Sequence, residues 1–293
     1  MRNESRGYYW FAHIFLLLFS IVCVVPFLLL TISSFTDNLT LVRNGYSFFA
    51  EKYSLSAYQY LWEQSDQLLR ANGITVLITA VGTTAGLIMM ALIAYPISRR
   101  DFPLRKSLTF YVVFTMLFNG GLVPTYLVYT QLFDVKNTIW ALIIPGLLMN
   151  GFSVLLIRTF FQNSIPVALI ESAKIDGASE LRILWKIVLP LSTPIMATIG
   201  LFQGIHYWND WMNGLIYITD PKLYSMQNLL NRMITEIQFL VSNDVGQVTD
   251  MSELPTVTMR MAIAVVGILP IVITYPYFQK YFAKGMTVGA VKG

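Results

Sequence analysis

The chain is poor in the residues that carry covalent and metal chemistry. It has one cysteine, Cys23, which excludes an intrachain disulfide framework and any thiolate metal cluster. Its two histidines, His13 and His206, lie far apart, and no His/Cys/carboxylate set has metal-ligand spacing. It has no Gly-x-x-x-x-Gly-Lys-Ser/Thr run: its one Lys-Ser pair, Lys106-Ser107, follows Arg105. The chain therefore cannot cradle ATP phosphates in the P-loop manner. The Gly-x-Ser-x-Gly nucleophile elbow is also missing. Charge is scarce: 12% of the 293 residues are charged, about half the usual share of roughly 25%. A soluble domain with so little charge would struggle to wet its surface. Disorder and a collagen helix are excluded too, because the chain is apolar and has no glycine period.

Apolar length is what the chain has instead, with 55% hydrophobic residues gathered in blocks. Residues 11–34, 73–98 and 107–132 contain no Asp, Glu, Lys or Arg. Residues 139–161 contain only Arg158, 189–218 only Asp210, and 259–282 only Arg260 and Lys280 near their ends. A spanning helix needs about 20 mostly apolar residues. Backbone in hydrocarbon must satisfy its own hydrogen bonds, so blocks of this length are read as helices rather than strands. The expected fold is an all-α membrane protein with six spans and both termini on one side.

Charge sets the orientation. With the N-terminus inside, 13 of the 20 basic residues fall on inner segments, among them Arg99, Arg100, Arg105 and Lys106 in the shortest inner loop. The positive-inside rule then gives N-in and C-in. Basic residues distributed in this way need no nucleic acid to explain them. The first block is too long for a signal-peptide core, carries Pro26 and shows no small-residue cleavage site, so it is read as an uncleaved span. The expected division is 1–72, the first span with an outer loop; 73–282, a five-span core; and 283–293, a cytoplasmic tail.

Three polar segments separate the blocks. Residues 35–72 lie outside, and Ser56–Trp62 (SAYQYLW) reads as a short interfacial helix or as an ordered loop. Residues 219–258 are long for a connector and either dock an outer partner or cap helix ends. Residues 162–188 are cytoplasmic and built differently. Ser164 is an expected N-cap, and Pro166 suits the first turn of a helix over Val167–Ile175. Asp176-Gly177 ends that helix, and Ser179 caps a second one leading to Pro190. Small residues Ala168, Ser172 and Ala173 would let another protein approach closely. The alternative use is an amphipathic helix resting on lipid.

Here the residues resemble a family. Glu171-Ser172-Ala173, then Asp176-Gly177, then Ile187-x-Leu189-Pro190, are similar to the EAA loop of ABC importer permeases. Ser172 departs from the usual middle alanine, and serine is also small. Trp208-Asn209-Asp210-Trp211 resembles the signature of the maltose-type carbohydrate permeases. The tail from Gln279 to Gly293 is similar to that of their second permease subunit, and Asn119-Gly120-Gly121-Leu-Val-Pro124-Thr-Tyr126 to the branch handling complex oligosaccharides and polysaccharide fragments. The resemblance covers nearly the whole chain.

It implies a type I ABC importer permease in the bacterial cytoplasmic membrane. The implied partners are a second homologous permease, an ATPase dimer and an extracytoplasmic solute-binding protein, with lipid around the spans. The chain would hold no cofactor and no catalytic residue, since ATP and Mg belong to the ATPase. The loop helix would fit a cleft in the ATPase through Glu171, Ser172, Ala173, Asp176 and Gly177, with Pro190 fixing entry into the fifth span. Nucleotide-driven movement of this loop would drive alternating access.

The expected path residues are less determined. Asp210 is the one acid well inside a span, where an ionisable group is functional by default. It either lines a polar sugar path or accepts from backbone donors near a helix break. Tyr207, Trp208 and Trp211 either stack on sugar rings or anchor the span at the interface. Asn119, Asn150 and Gln203 either face the path or are amides satisfied by a neighbouring helix. Gly82-x-x-x-Gly86 and Gly200-x-x-x-Gly204 permit close helix packing. The other functions compatible with the sequence are an ion-coupled secondary transporter, a membrane protein of assembly or lipid binding, and an ABC importer of a non-sugar solute.

Overall fold

The computed structural model describes residues 4–242, 257–270, 272, 273 and 276, and among these it has no β-strand. The tail resemblance over Gln279–Gly293 and most of the second half of the last apolar block lie outside the described residues.

Helix forms in every apolar block, and of the first five only the first two are unbroken among the described residues. The charge-free first block becomes α1 (Glu4–Ser34), with Pro26 inside it. Two short helices follow, α2 (Asn38–Asn44) and α3 (Ser56–Glu63), so the SAYQYLW stretch is helical. The second block lies in the 34-residue α4 (Ser65–Ser98). Its buried residues Thr75, Ile78, Gly82, Gly86, Met90, Ala94 and Ile97 recur every three or four positions, which gives one buried stripe.

The third block breaks after α5 (Arg105–Leu117), at Phe118–Gly121. It continues as α6 (Leu122–Leu127) and a π-helical turn over Val128–Leu132, bent from α5 by 113°. The fourth block breaks between α7 (Trp140–Ile143) and α8 (Gly151–Ser164). Pro145 cannot donate to a helix, and Gly146 takes φ +70, so a seven-residue gap interrupts the run. α9 (Val167–Ile175) leaves α8 at 80°.

The fifth block is divided most. α10 (Glu180–Ile183), a π-helical stretch over Leu184–Val188 and α11 (Leu189–Leu191) form one arm. α12 (Thr193–Trp208) leaves it at 83°, and α13 (Met212–Tyr217) follows the Asn209–Trp211 break. A 3-10 turn over Pro221–Leu223 leads to α14 (Met226–Ser242), and the sixth block begins as α15 (Val257–Pro270).

The described residues divide into two units. One contains α1 to α3 and the first residues of α4, with Leu230–Val272. In it the Ser34 and Tyr58 hydroxyls lie 2.7 Å apart, Phe35 stacks on Tyr58, and Asn38 Oδ1 accepts from the Val257 N–H at 3.1 Å. The other is built on Leu69–Leu229. Its core gathers Tyr95, Ile97, Phe161, Ile165, Ile170, Ile183 and Leu184.

Candidate functional site

The EAA-like loop folds as two helices meeting at Gly177. Ser164 is the last residue of α8 rather than a cap, and Pro166 holds the cap position of α9 in extended backbone. Proline leaves no N–H to satisfy there, and its φ of −61 suits a sharp entry. α9 ends in a Schellman motif: Gly177 N–H donates to Lys174 O at 3.0 Å and Ala178 N–H to Ala173 O at 2.9 Å. Gly177 has φ +77, the left-handed region that an L side chain enters at a cost. Ser179 then caps α10, its Oγ accepting from Arg182 N–H at 3.4 Å.

One face of α9 is held and the other is free. Ile170 is buried and Ala173 packs against the same core. Glu171, Ser172, Asp176 and Gly177 are exposed, as are Val167, Leu169 and Ile175. Ile175 is 86% exposed, a large apolar surface for a helix end. Pro190 is exposed in α11, and the turn into α12 falls two residues later, at buried Ser192. Pro194 rather than Pro190 stands in the first turn of the fifth-block helix.

A charged cluster ties this loop to the end of α4. Arg99 grips Asp101 with two bonds at 3.1 Å. Lys174 Nζ lies 3.0 Å from Asp101 and 2.7 Å from Glu180. Tyr95 donates to Glu180 at 2.5 Å. The bonds from Arg99 and Lys174 hold the Asp101 carboxyl well below the usual carboxylate range. Glu180 is pushed up by burial, but the bonds from Lys174 and Tyr95 outweigh that and leave it lowered. Glu180 and Asp101 raise Lys174. Sequence reasoning missed this cluster. Asp101, the lone acid among Arg99, Arg100, Arg105 and Lys106, was the one available signal.

The second cluster surrounds the break in the fourth block. Three main-chain carbonyls there have lost helical partners, and side chains of the fifth block replace them. Tyr207 Oη donates to Ile143 O at 2.9 Å, Asn213 Nδ2 to Pro145 O at 2.9 Å, and Gln203 Nε2 to Leu147 O. Gln203 and Tyr207 are buried. Gly82 and Gly86 of α4 make room: a Cβ on Gly82 would meet the Tyr207 ring at 2.3 Å, and one on Gly86 would meet Leu148 O at 2.6 Å. Gly204 faces Thr79 and Thr83 of α4. The glycine pairs therefore pack α4 and α12 on each other within one chain.

Asp210 sits between α12 and α13, not inside a continuous helix. Its Oδ1 accepts from Asn213 N–H at 3.3 Å. Ser225 Oγ donates to Asp210 O at 3.3 Å, and Asn228 Nδ2 to Trp211 O at 3.2 Å. Asp210 Oδ2 and Trp208 Nε1 are buried without a hydrogen-bond partner among the described residues. Trp211 is 40% exposed. Asn119 and Asn150 are both exposed and both serve their own breaks, accepting from Gly121 N–H at 2.9 Å and Ser153 N–H at 3.1 Å. Asn137 was also missed: its Oδ1 accepts from Thr219 N–H at 2.6 Å, joining the segments before α7 and after α13.

Paired apolar helices, interrupted where polar side chains take over the backbone, with a projecting two-helix loop, define a multi-pass membrane permease of the type I ABC importer fold. The chain belongs to the family of binding-protein-dependent transport system inner membrane components, which matches residues 82–288. Its chain is 40% identical over 279 residues to the polygalacturonan/rhamnogalacturonan transport system permease protein YtcP of Bacillus subtilis, covering 95% of this chain and 96% of that one. It is 27% identical to the arabinooligosaccharides transport system permease protein AraQ of Halalkalibacterium halodurans, covering 100% and 99%. A solved bacterial ABC transporter involved in import of the acidic polysaccharide alginate matches with a TM-score of 0.80 and 26% identity, over 96% of this chain and 99% of that one. As an inner membrane component of such a system, the protein resides in the cytoplasmic membrane.

Proposed function

We propose that the chain is the permease subunit of an ATP-driven importer for a carbohydrate, an oligosaccharide or glycan fragment. The observation that carries the reading is α9 with its Schellman end: a short helix held on one face by Ile170 and Ala173 and offering Val167, Leu169, Glu171 and Ile175 on the other. Such a surface suits the cleft of an ATPase, with Asp176 and Gly177 setting the turn. The carbohydrate cargo rests on the names of the relatives, which transport polygalacturonan, rhamnogalacturonan and arabinooligosaccharides.

In this reading the chain has six spans, N-in and C-in, arranged as 1–72, 73–282 and a cytoplasmic tail. The broken third, fourth and fifth blocks each count as one span whose freed backbone is buried in protein. The chain works with a second permease, an ATPase dimer that binds ATP and Mg, and an extracytoplasmic solute-binding protein. Nucleotide closure moves α9, and rigid-body motion of the two permeases opens the path outward. Asp210 Oδ2 and Trp208 Nε1, buried and unpartnered among the described residues, support a polar path beside the α12–α13 break. Gln203 and Tyr207 would shape that path by holding the Ile143–Leu147 carbonyls.

Broken helices also occur in ion-coupled transporters, which is the second reading, and ATP dependence separates the two. The complex is purified through a C-terminal tag with and without vanadate-trapped nucleotide. A second permease and two ATPase copies are expected. In proteoliposomes it should then take up radiolabelled digalacturonate, alginate trisaccharide or maltotriose only with ATP. Recovery of this chain without an ATPase in either state, or uptake driven by an ion gradient alone, would overturn the reading.

A further inference from the structure

A chain of polar and charged side chains beside α9 links four segments. Tyr95 stands in the last turn of α4, and Arg99 and Asp101 lie in the turn that follows it. Lys174 is in the last turn of α9, and Glu180 opens α10. The bonds run from Tyr95 to Glu180 at 2.5 Å, Glu180 to Lys174 at 2.7 Å, Lys174 to Asp101 at 3.0 Å, and Asp101 to Arg99 at 3.1 Å. α9 has nine residues, too few to be stable on its own. Its apolar contact through Ile170 and Ala173 is non-directional and resists sliding poorly. Directional ion pairs and hydrogen bonds resist both sliding and rotation.

We propose that Lys174, Asp101, Glu180 and Tyr95 are positioning residues that fasten α9 to the foot of α4, so that a displacement of α9 is delivered to α4. The proposal rests on the coupling-helix reading given above. α4 is suited to receive the stroke. Farther along the same helix, Gly82 and Gly86 lie against Tyr207, Gln203 and the Leu148 carbonyl, the elements of the candidate path. One continuous helix thus touches the loop at one end and the broken segment at the other. α4 is continuous from Gly82 to Tyr95, and its one proline, Pro96, lies beyond Tyr95, so a stroke entering at Tyr95 needs no other relay.

The test is hydrogen exchange of the full tagged complex, compared between nucleotide-free and vanadate-trapped states. In the native complex, trapping should change exchange both in 167–175 and in 92–101. Lys174→Met and Tyr95→Phe should keep the change in 167–175 and lose it in 92–101. Lys174→Arg, which preserves the charge, should restore it. Tyr95→Phe removes only a hydroxyl, so a folding defect in Lys174→Met does not decide the result. An unchanged response of 92–101 in both variants would overturn the fastening while leaving the coupling helix in place. No response of 167–175 in the native complex would remove the coupling-helix reading, and the fastening with it.

Discussion

Tyr207, in α12, donates its hydroxyl to the main-chain carbonyl of Ile143 at 2.9 Å, across a separation of 64 residues. That carbonyl has lost its helical partner because the chain breaks at Pro145 and Gly146. A side chain that reads as a sugar-stacking candidate is therefore employed in closing the backbone of another segment.

Tyr207→Phe should destabilise the protein by about 1–3 kcal/mol, since a buried acceptor is left unpaired. Thermal unfolding in detergent should fall, while solute affinity of transport changes little. A large rise in transport KM with unchanged unfolding would instead show that the hydroxyl touches solute.

Gly82→Ala should cost about 1–3 kcal/mol through overpacking, because the new Cβ would sit 2.3 Å from the Tyr207 ring. Gly204→Ala should be far milder, with its nearest neighbour Thr83 Oγ1 at 3.6 Å. Unfolding midpoints of the two variants measure the difference; equal midpoints would refute the close packing of α4 on Tyr207.

Gly177→Val should reduce uptake and the coupling of ATP hydrolysis to transport while membrane insertion persists. Nothing lies within 4 Å of a Cβ there, so the cost is one of backbone conformation at φ +77, roughly 1–2 kcal/mol. Gly177→Asn, which tolerates that conformation, should retain most of the coupling. Normal coupled uptake by Gly177→Val would end the docking role of the turn.

The charged cluster should hold across the neutral range. Asp101 and Glu180 are lowered in the folded state, so their stabilisation is present above the unfolded carboxylate values of about 4 and is lost as pH falls through the folded values. Lys174 is raised, so its share is present below about 10.4 and is lost only as pH rises beyond that. The unfolding difference between native protein and Asp101→Asn should be flat from about pH 8 to pH 5 and shrink below about pH 4. A difference that disappears between pH 7 and pH 5 would show that the Asp101 bonds do not form in the protein.

The sequence by itself determined the elements that depend on local chemistry. Long uncharged runs had to become helices, since hydrocarbon leaves a backbone no other partner. Asp176-Gly177 and Ser179 set the two-helix loop, because a left-handed turn and a side-chain cap are encoded by the residues that occupy them. Where the apolar runs break was only half legible. Pro145-Gly146 and Gly120-Gly121 mark two breaks, whereas Asn209–Trp211 gives no comparable signal. Tertiary structure alone decided what closes those breaks and what fastens the loop. Tyr207 meets Ile143, Asn213 meets Pro145, and Lys174 meets Asp101 only when segments about 60 to 75 residues apart are brought together. Hydrophobic periodicity specifies which face of a helix is buried. It does not specify which distant carbonyl or carboxylate a buried polar group will find there.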